Sequence, residues 1–161
     1  MRRIKRDIHM HLQVLTRPER AHGFIEEAIR QGFAEICATD HAPIPINHAA
    51  DRIPEGQVGR YVEEVLALRE AYRGRIHIAV GIEVDYFPDY EDYWRGLLAP
   101  HAFDHVLCSS HLHVRPDFPF EDYDFAGIER LSLEHTLRGV QSGLFDVAAH
   151  LDRYRCYAEP P

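Results

Sequence analysis

Short apolar runs alternate with amphipathic segments along the whole chain. The runs predict five strands, and the segments between them carry apolar residues at helical spacing. The strands are expected at 4–11, 34–39, 76–84, 106–110 and 145–149. The helices are expected at 24–30, 58–72, 89–98 and 126–141. This β-α-β-α order favours a parallel α/β sheet, either a barrel or a doubly wound sheet.

The first predicted strand alternates strictly around two histidines. It reads Asp7-Ile8-His9-Met10-His11, so Asp7, His9 and His11 share one face. Two imidazoles two residues apart on a strand can reach one metal ion, and a nearby carboxylate can orient such a ligand. A lone His-x-His is a common pattern, so its meaning depends on partners elsewhere in the chain.

Metal-ligating residue types recur where the other predicted strands end. These positions are His41, Glu83, His111 and His150. In a βα barrel the carboxyl ends of the strands form the active-site edge. Ala79 and Gly81 share the predicted inward face of Glu83, and such small side chains would leave room for a metal cluster. Together the five strand ends predict a polynuclear metal site.

Composition and charge narrow the function classes. At 161 residues the chain is expected to be one domain over 1–161. A net charge of −8 argues against a nucleic-acid-binding surface. No apolar run reaches membrane-spanning length, and no signal peptide is visible. Cys37, Cys108 and Cys156 lack Cys-x-x-Cys spacing, which argues against a thiolate metal site or disulfides and favours a cytoplasmic location.

The strand-end motifs resemble those of the PHP (polymerase and histidinol phosphatase) metallohydrolase superfamily, and most of all its histidinol-phosphatase branch. Beside the His-x-His strand, the likeness is carried by Thr39-Asp40-His41-Ala42-Pro43, Gly81-Ile82-Glu83-Val84-Asp85-Tyr86, Phe103-Asp104-His105-Val106-Leu107 with Ser110-His111, and Ser142-Gly143-Leu144-Phe145-Asp146 through His150-Leu151-Asp152. The resemblance implies a distorted (β/α)7 TIM-like barrel with two or three Zn, Mn or Fe ions. It also implies a metal-dependent phosphatase of small phosphomonoesters, with L-histidinol phosphate as the leading substrate.

The resemblance also implies ligand sets. His9, His11 and Glu83 would hold a first ion, and Glu83 would bridge to a second ion held by His111 and His150. A third ion would use His41 and an early histidine, for which His22 is the candidate because the family's usual position carries Thr16 or Arg17 here. Two ions about 3.5–4 Å apart can bind a bridging hydroxide. The expected catalytic residues are therefore Glu83, His111 and Asp152, the last either recognising a substrate amine or orienting a ligand.

A phosphate substrate also needs cationic partners. Arg52 lies in the long loop after the second strand, where the histidinol-phosphatase branch has a similarly placed arginine, and Arg17 follows the first strand. Either guanidinium would bind phosphate oxygens in a bidentate way. His48, in the same loop as Arg52, is a third candidate for substrate contact. A small phosphate ester is thus the expected partner.

The chain departs from the family pattern at its end, and other functions stay open. PHP barrels close with Asp-x-His on a last strand, whereas this chain reaches Pro161 after about five βα units. We therefore expect a fragment, or a chain completed by a partner, with exposed sheet edges that favour dimers or aggregates. A non-catalytic metal-binding module and a PHP phosphoesterase of other substrate class remain alternatives. An amidohydrolase with a carboxylated lysine bridge is excluded, because the only lysine, Lys5, precedes the motif.

Overall fold

A computed structural model describes residues 4–154 of the chain. In this part, five parallel strands form one sheet in the order β1-β2-β3-β4-β5. Their bounds are β1 Lys5–Met10, β2 Phe33–Ala38, β3 His77–Asp85, β4 His105–Ser109 and β5 Val147–Ala148. The strand order confirms the α/β class and favours the barrel over the doubly wound sheet. His9 of β1 and His150, two residues after β5, both contact Glu83 of the central strand β3, so the sheet is curled into a half-barrel.

Four α-helices pack on the convex side of the described sheet. They are α1 Pro18–Arg30, α2 Val58–Ala71, α3 Glu91–Leu98 and α4 Phe125–Ser142. Helix α1 begins six residues earlier than predicted, because Pro18 suits the first helical turn and the buried stripe already starts at Ala21. Asp124 precedes α4, and its carboxylate caps the helix by accepting a hydrogen bond from Gly127 N; Gly143, in the left-handed conformation, follows the last turn.

The core lies between the sheet and the helices. Every residue of β3 except His77 is buried, and the largest buried side chains include Trp94, Tyr61, Tyr86 and Phe87. Gly81 corrects one expectation. A Cβ at Gly81 would lie 2.6 Å from Cys37 Sγ and 2.8 Å from Thr39 Cγ2, so the space beside this glycine is filled by strand β2 and not by a metal cluster.

Two of the three cysteines lie within the described residues. Cys37 and Cys108 are buried free thiols, and burial raises the pKa of each to about 12. Cys156 lies outside the described residues. Within residues 4–154, none of the helices combines the length and the apolar character needed to cross a membrane.

Apolar side chains are exposed at both ends of the described sheet. Ile4 and Ile8 are exposed at the β1 edge, and Leu133, Leu137 and Val140 form a stripe on α4 beside β5. These positions match the apolar surface expected of an open sheet. Association through this surface stays a prediction.

Candidate metal centre

The carboxylate of Glu83 lies at the centre of a ring of histidines. Glu83 is completely buried on β3, and five imidazoles approach it from the ends of the other four strands. Oε2 lies 3.1 Å from His9 Nε2, 3.2 Å from His11 Nε2 and 3.3 Å from His41 Nδ1. Oε1 lies 2.8 Å from His150 Nε2 and 4.0 Å from His111 Nε2. The structure therefore brings together the six metal-ligating residues predicted at the strand ends.

Local backbone features position the imidazoles that come from the two outer strands of the sheet. The loop after His11 is held by Asp40, whose carboxylate accepts hydrogen bonds from Gln13 N at 2.8 Å and Val14 N at 3.0 Å. Gln13 adopts a positive φ of 56° there, and His150 has a φ of 27°. Residues other than glycine rarely adopt such backbone angles, and those that do cluster at functional sites. The strained backbone at His150 directs its ring to Glu83.

Electrostatics keep Glu83 ionised and at least one ring neutral. Burial raises the pKa of Glu83, but hydrogen bonds from His11, His150 and His9 outweigh burial and hold it well below its usual range. Burial lowers the pKa of His41 to about 4, so its ring is neutral at physiological pH. Neutral imidazoles and carboxylates are the forms that bind metal ions.

The donor set fits a metal ion. His41 Nδ1 and His111 Nε2 are buried beside Glu83 and make no hydrogen bond within residues 4–154. One carboxylate has too few lone pairs to accept hydrogen bonds from five imidazoles, so these nitrogens could bind a cation. Three groups have ligand atoms within 4.8 Å of one another, namely His9-Glu83-His150, His11-His41-Glu83 and His41-Asp85-His111. Glu83 is shared by two of them, as a bridging ligand would be.

The groups differ from the predicted ligand sets. His9 is grouped with His150 and His11 with His41, whereas the resemblance paired His9 with His11. His111 is grouped with His41 and Asp85, and not with Glu83 and His150 as predicted. His22 is not in any of these groups, and its role as a ligand stays a prediction. It lies exposed on α1, and its Nδ1 is 2.8 Å from the hydroxyl of Tyr72.

The predicted phosphate-binding residues are not grouped at the metal pocket. Arg17 is an exposed residue that precedes α1, and exposed His48 lines a neighbouring pocket with Ile44 and Pro54. Arg52 borders the metal pocket, but its guanidinium is buried in an ion pair with Asp85 at 2.5 Å. The guanidinium is thus already engaged within the protein, and phosphate binding by Arg52 stays a prediction.

The turn after β5 brings a different arginine to the site. Arg153 lines the metal pocket, and its buried Nε has no hydrogen-bond partner among the described residues. Asp152, the predicted catalytic residue beside it, is exposed and is not among the residues that line this pocket. Sequence reasoning missed Arg153, although its closeness to His150 in the chain was a usable signal.

Asp85 is a second residue that sequence reasoning missed. It follows Glu83 by two residues on β3, and its Oδ1 lies 2.6 Å from His111 Nδ1. The period-two alternation that gave Glu83 its inward position applies to Asp85 as well. That alternation was the available signal.

Comparison with known proteins places these features in a family. A model of the PHP domain matches residues 7–160. "Histidinol-phosphatase" of Bacillus subtilis is 29% identical over an alignment that is 167 positions long with its gaps and covers 93% of this chain and 57% of the relative. "Probable histidinol-phosphatase" of Deinococcus radiodurans is 29% identical over 137 residues, which cover 80% of this chain and 53% of the relative. The chain thus spans about half the length of these curated relatives.

A solved structure supports the same fold. Histidinol phosphate phosphatase from Lactococcus lactis, crystallised with zinc, L-histidinol and phosphate, superimposes with a TM-score of 0.75 at 22% sequence identity. The match covers 93% of this chain and 59% of that chain. Five parallel strands, a histidine ring around a buried glutamate and a family match over nearly the whole sequence agree, and the chain belongs to the PHP domain family.

Proposed function

We propose that this protein is a metal-dependent phosphatase that hydrolyses a small phosphomonoester, with L-histidinol phosphate as its substrate. The observation that carries the proposal is the ring of five imidazoles around the buried carboxylate of Glu83. The names of the two curated relatives and the ligands of the Lactococcus lactis protein support the choice of substrate.

The ring residues would hold two or three divalent ions. The ligands would be His9, His11, His41, Glu83, His111 and His150. A set of imidazoles and a carboxylate accepts Zn, Mn and Fe. When bound, such ions supply Lewis acidity towards a phosphate oxygen and make water more acidic. The negative charge of Glu83, shared between two of the groups, would reduce the repulsion between two neighbouring dications.

Other residues of the pocket would bind the substrate. The Nε of Arg153 has no hydrogen-bond partner within residues 4–154, so this guanidinium would donate charge-assisted hydrogen bonds to phosphate oxygens. His113 also lines the pocket, and burial lowers the pKa of its ring, which keeps it neutral. Recognition of the substrate amine by Asp152 stays a prediction. Asp152 lies on the same turn as Arg153.

The proposal is tested by measuring phosphate release from L-histidinol phosphate. The assay would be run on this chain and on a form extended to the length of its relatives, each with chelator and after zinc is restored. We expect release that chelator abolishes and zinc restores, and faster release from L-histidinol phosphate than from glycerol phosphate. Release that persists in chelator, or none from either form, would contradict the proposal. Equal rates on both esters would contradict the choice of L-histidinol phosphate and favour the alternative, a PHP phosphoesterase of other substrate class.

A further inference from the structure

The carboxylate of Asp85 is held by three side chains in the interior. Asp85 is completely buried at the end of β3. Its Oδ1 lies 2.6 Å from His111 Nδ1 and 3.2 Å from the hydroxyl of Ser109, and its Oδ2 accepts a hydrogen bond from an Arg52 nitrogen at 2.5 Å. Both oxygens are therefore engaged with protein donors.

The contact with Asp85 decides which nitrogen of His111 carries the proton. The Arg52 guanidinium lies 2.5 Å from Oδ2 and balances the charge of an ionised Asp85 carboxylate in the interior. An ionised carboxylate only accepts hydrogen bonds, so Nδ1 of His111 must carry the hydrogen. A neutral ring then has its lone pair on Nε2, which is buried on the Glu83 side and has no hydrogen-bond partner in the described part of the chain.

Asp85 has two conceivable roles at this position. Its oxygens lie within 4.8 Å of ligand atoms of His41 and His111, a spacing that would also suit a metal ligand. However, Oδ1 and Oδ2 already accept hydrogen bonds from His111 and Arg52, and a ligand role would require at least one of these to be given up. The contacts favour a role through His111.

We infer that Asp85 is a positioning residue, which fixes the tautomer and orientation of His111 so that Nε2 faces the metal site, and that Arg52 holds Asp85 in place. The inference rests on the proposed function only in that His111 binds a metal ion. Carboxylates that orient a ligating histidine in this way contribute strongly to metal affinity in other proteins.

The surroundings of Arg52 explain why it serves Asp85 and not a phosphate. Its side chain is only 5% exposed, and a second guanidinium nitrogen donates to Ala42 O at 2.9 Å. Removing one partner of a buried ion pair leaves the other charge uncompensated. Release of Arg52 to bind a substrate would therefore leave Asp85 unpaired beside His111. The ion pair also fastens the 42–57 loop to the end of β3.

The first test measures the tautomer of His111 in the metal-free protein. Long-range ¹H–¹⁵N spectra distinguish a ring protonated at Nδ1 from one protonated at Nε2, and a His111→Asn variant identifies the signals. We expect the Nδ1–H form in the wild-type chain. In Asp85→Asn the amide has one acceptor oxygen for the three side chains that contact the carboxylate, so the Nε2–H form should become populated. An Nε2–H ring in the wild type, or the same spectrum in both proteins, would overturn the inference.

The second test measures zinc affinity by competition with a chromophoric chelator. Asp85→Asn should bind zinc about 10–100-fold more weakly. The matched control is Asp104→Asn, which removes a carboxylate that accepts from Val80 N and Arg69 before β4 begins. This control should bind zinc like the wild type, and equal affinity in Asp85→Asn would overturn the inference.

Two features keep these tests independent of folding and of the proposed function. The wild-type tautomer is measured without Asp85→Asn, so it decides the inference even if that variant does not fold. Neither the tautomer nor zinc affinity depends on phosphate release. A chain without phosphatase activity but with the expected tautomer and zinc affinities would contradict the proposed function and support the role of Asp85.

Discussion

His9 and His150 come from opposite edges of the described sheet, yet their ring centroids lie only 5.3 Å apart. In a flat sheet, four strand spacings of about 4.8 Å would separate β1 from β5 by roughly 19 Å. The curl of the sheet therefore brings the two edges together at the metal site. A cation bound between these rings would join the first strand to the last.

This relationship predicts that zinc stabilises the fold. At a free concentration of 100 times its Kd, a ligand adds about 2.7 kcal/mol to the free energy of unfolding, and we expect a rise in Tm of roughly 5–10 °C. His150→Asn should lose most of this rise, whereas His22→Asn should keep it because His22 contacts Tyr72 on the outer surface. Thermal unfolding with zinc and with chelator measures the difference. A full rise in His150→Asn would show that zinc does not bind between the sheet edges.

Replacing Glu83 should remove the centre of the site. In Glu83→Gln, a neutral amide that can donate hydrogen bonds stands among five imidazoles, and the negative charge shared by two of the ligand groups is lost. We expect zinc affinity and phosphate release to fall by more than about 100-fold, beyond the effect of losing an orienting residue. Glu64→Gln, which removes only an exposed carboxylate 3.9 Å from Arg60, should retain both properties. Zinc titration and the phosphate assay check the pair, and matching losses in the two variants would point to a general loss of folding.

The strand-end residues could be predicted from the sequence because strand geometry is regular. Alternation places every second side chain on one face, and parallel strands end at one edge, so His9 and Glu83 follow from their positions alone. Contacts made by long side chains from loops and helices are not periodic. Arg52 folds back from its loop into the interior to meet Asp85, and His22 turns to Tyr72. These partners lie 33 and 50 residues away in the chain, where no local pattern connects them.

Replacing Arg153 should weaken phosphate binding. Loss of a charge-assisted hydrogen bond removes about 1.5–3 kcal/mol, so Arg153→Ala should raise KM and the inhibition constant for inorganic phosphate by roughly 10–100-fold. Arg17→Ala should change neither, because Arg17 is exposed before α1. Inhibition by phosphate under constant zinc compares the two variants. If Arg17→Ala has the larger effect, the first loop and not the turn after β5 binds the phosphate.

The stability of the chain should fall below neutral pH in part through His135. Burial lowers the pKa of this ring on α4, which stands edge-on to Phe87. Its buried Nδ1 has no hydrogen-bond partner among residues 4–154. The unfolded chain, with an ordinary pKa of about 6.5, then binds more protons than the folded chain, so stability falls as the pH drops from about 6.5 towards the lowered folded pKa. His135→Gln should therefore lose less Tm between pH 7.5 and pH 5.5 than the wild type. Identical losses in chelator-treated samples would show that His135 does not contribute.

Two helical glycines should respond in opposite directions to the same substitution. A Cβ at Gly139 on α4 would lie 2.5 Å from Cys108 Sγ and 3.3 Å from the ring of Tyr86, whereas nothing lies within 4 Å of a Cβ at Gly23 on α1. Overpacking should make Gly139→Ala less stable by about 1–3 kcal/mol. Gly23→Ala should be more stable by about 0.5–1 kcal/mol, because alanine has the higher helix propensity. Urea unfolding measures both changes, and a stabilised Gly139→Ala would mean that α4 does not pack on β4 at this distance.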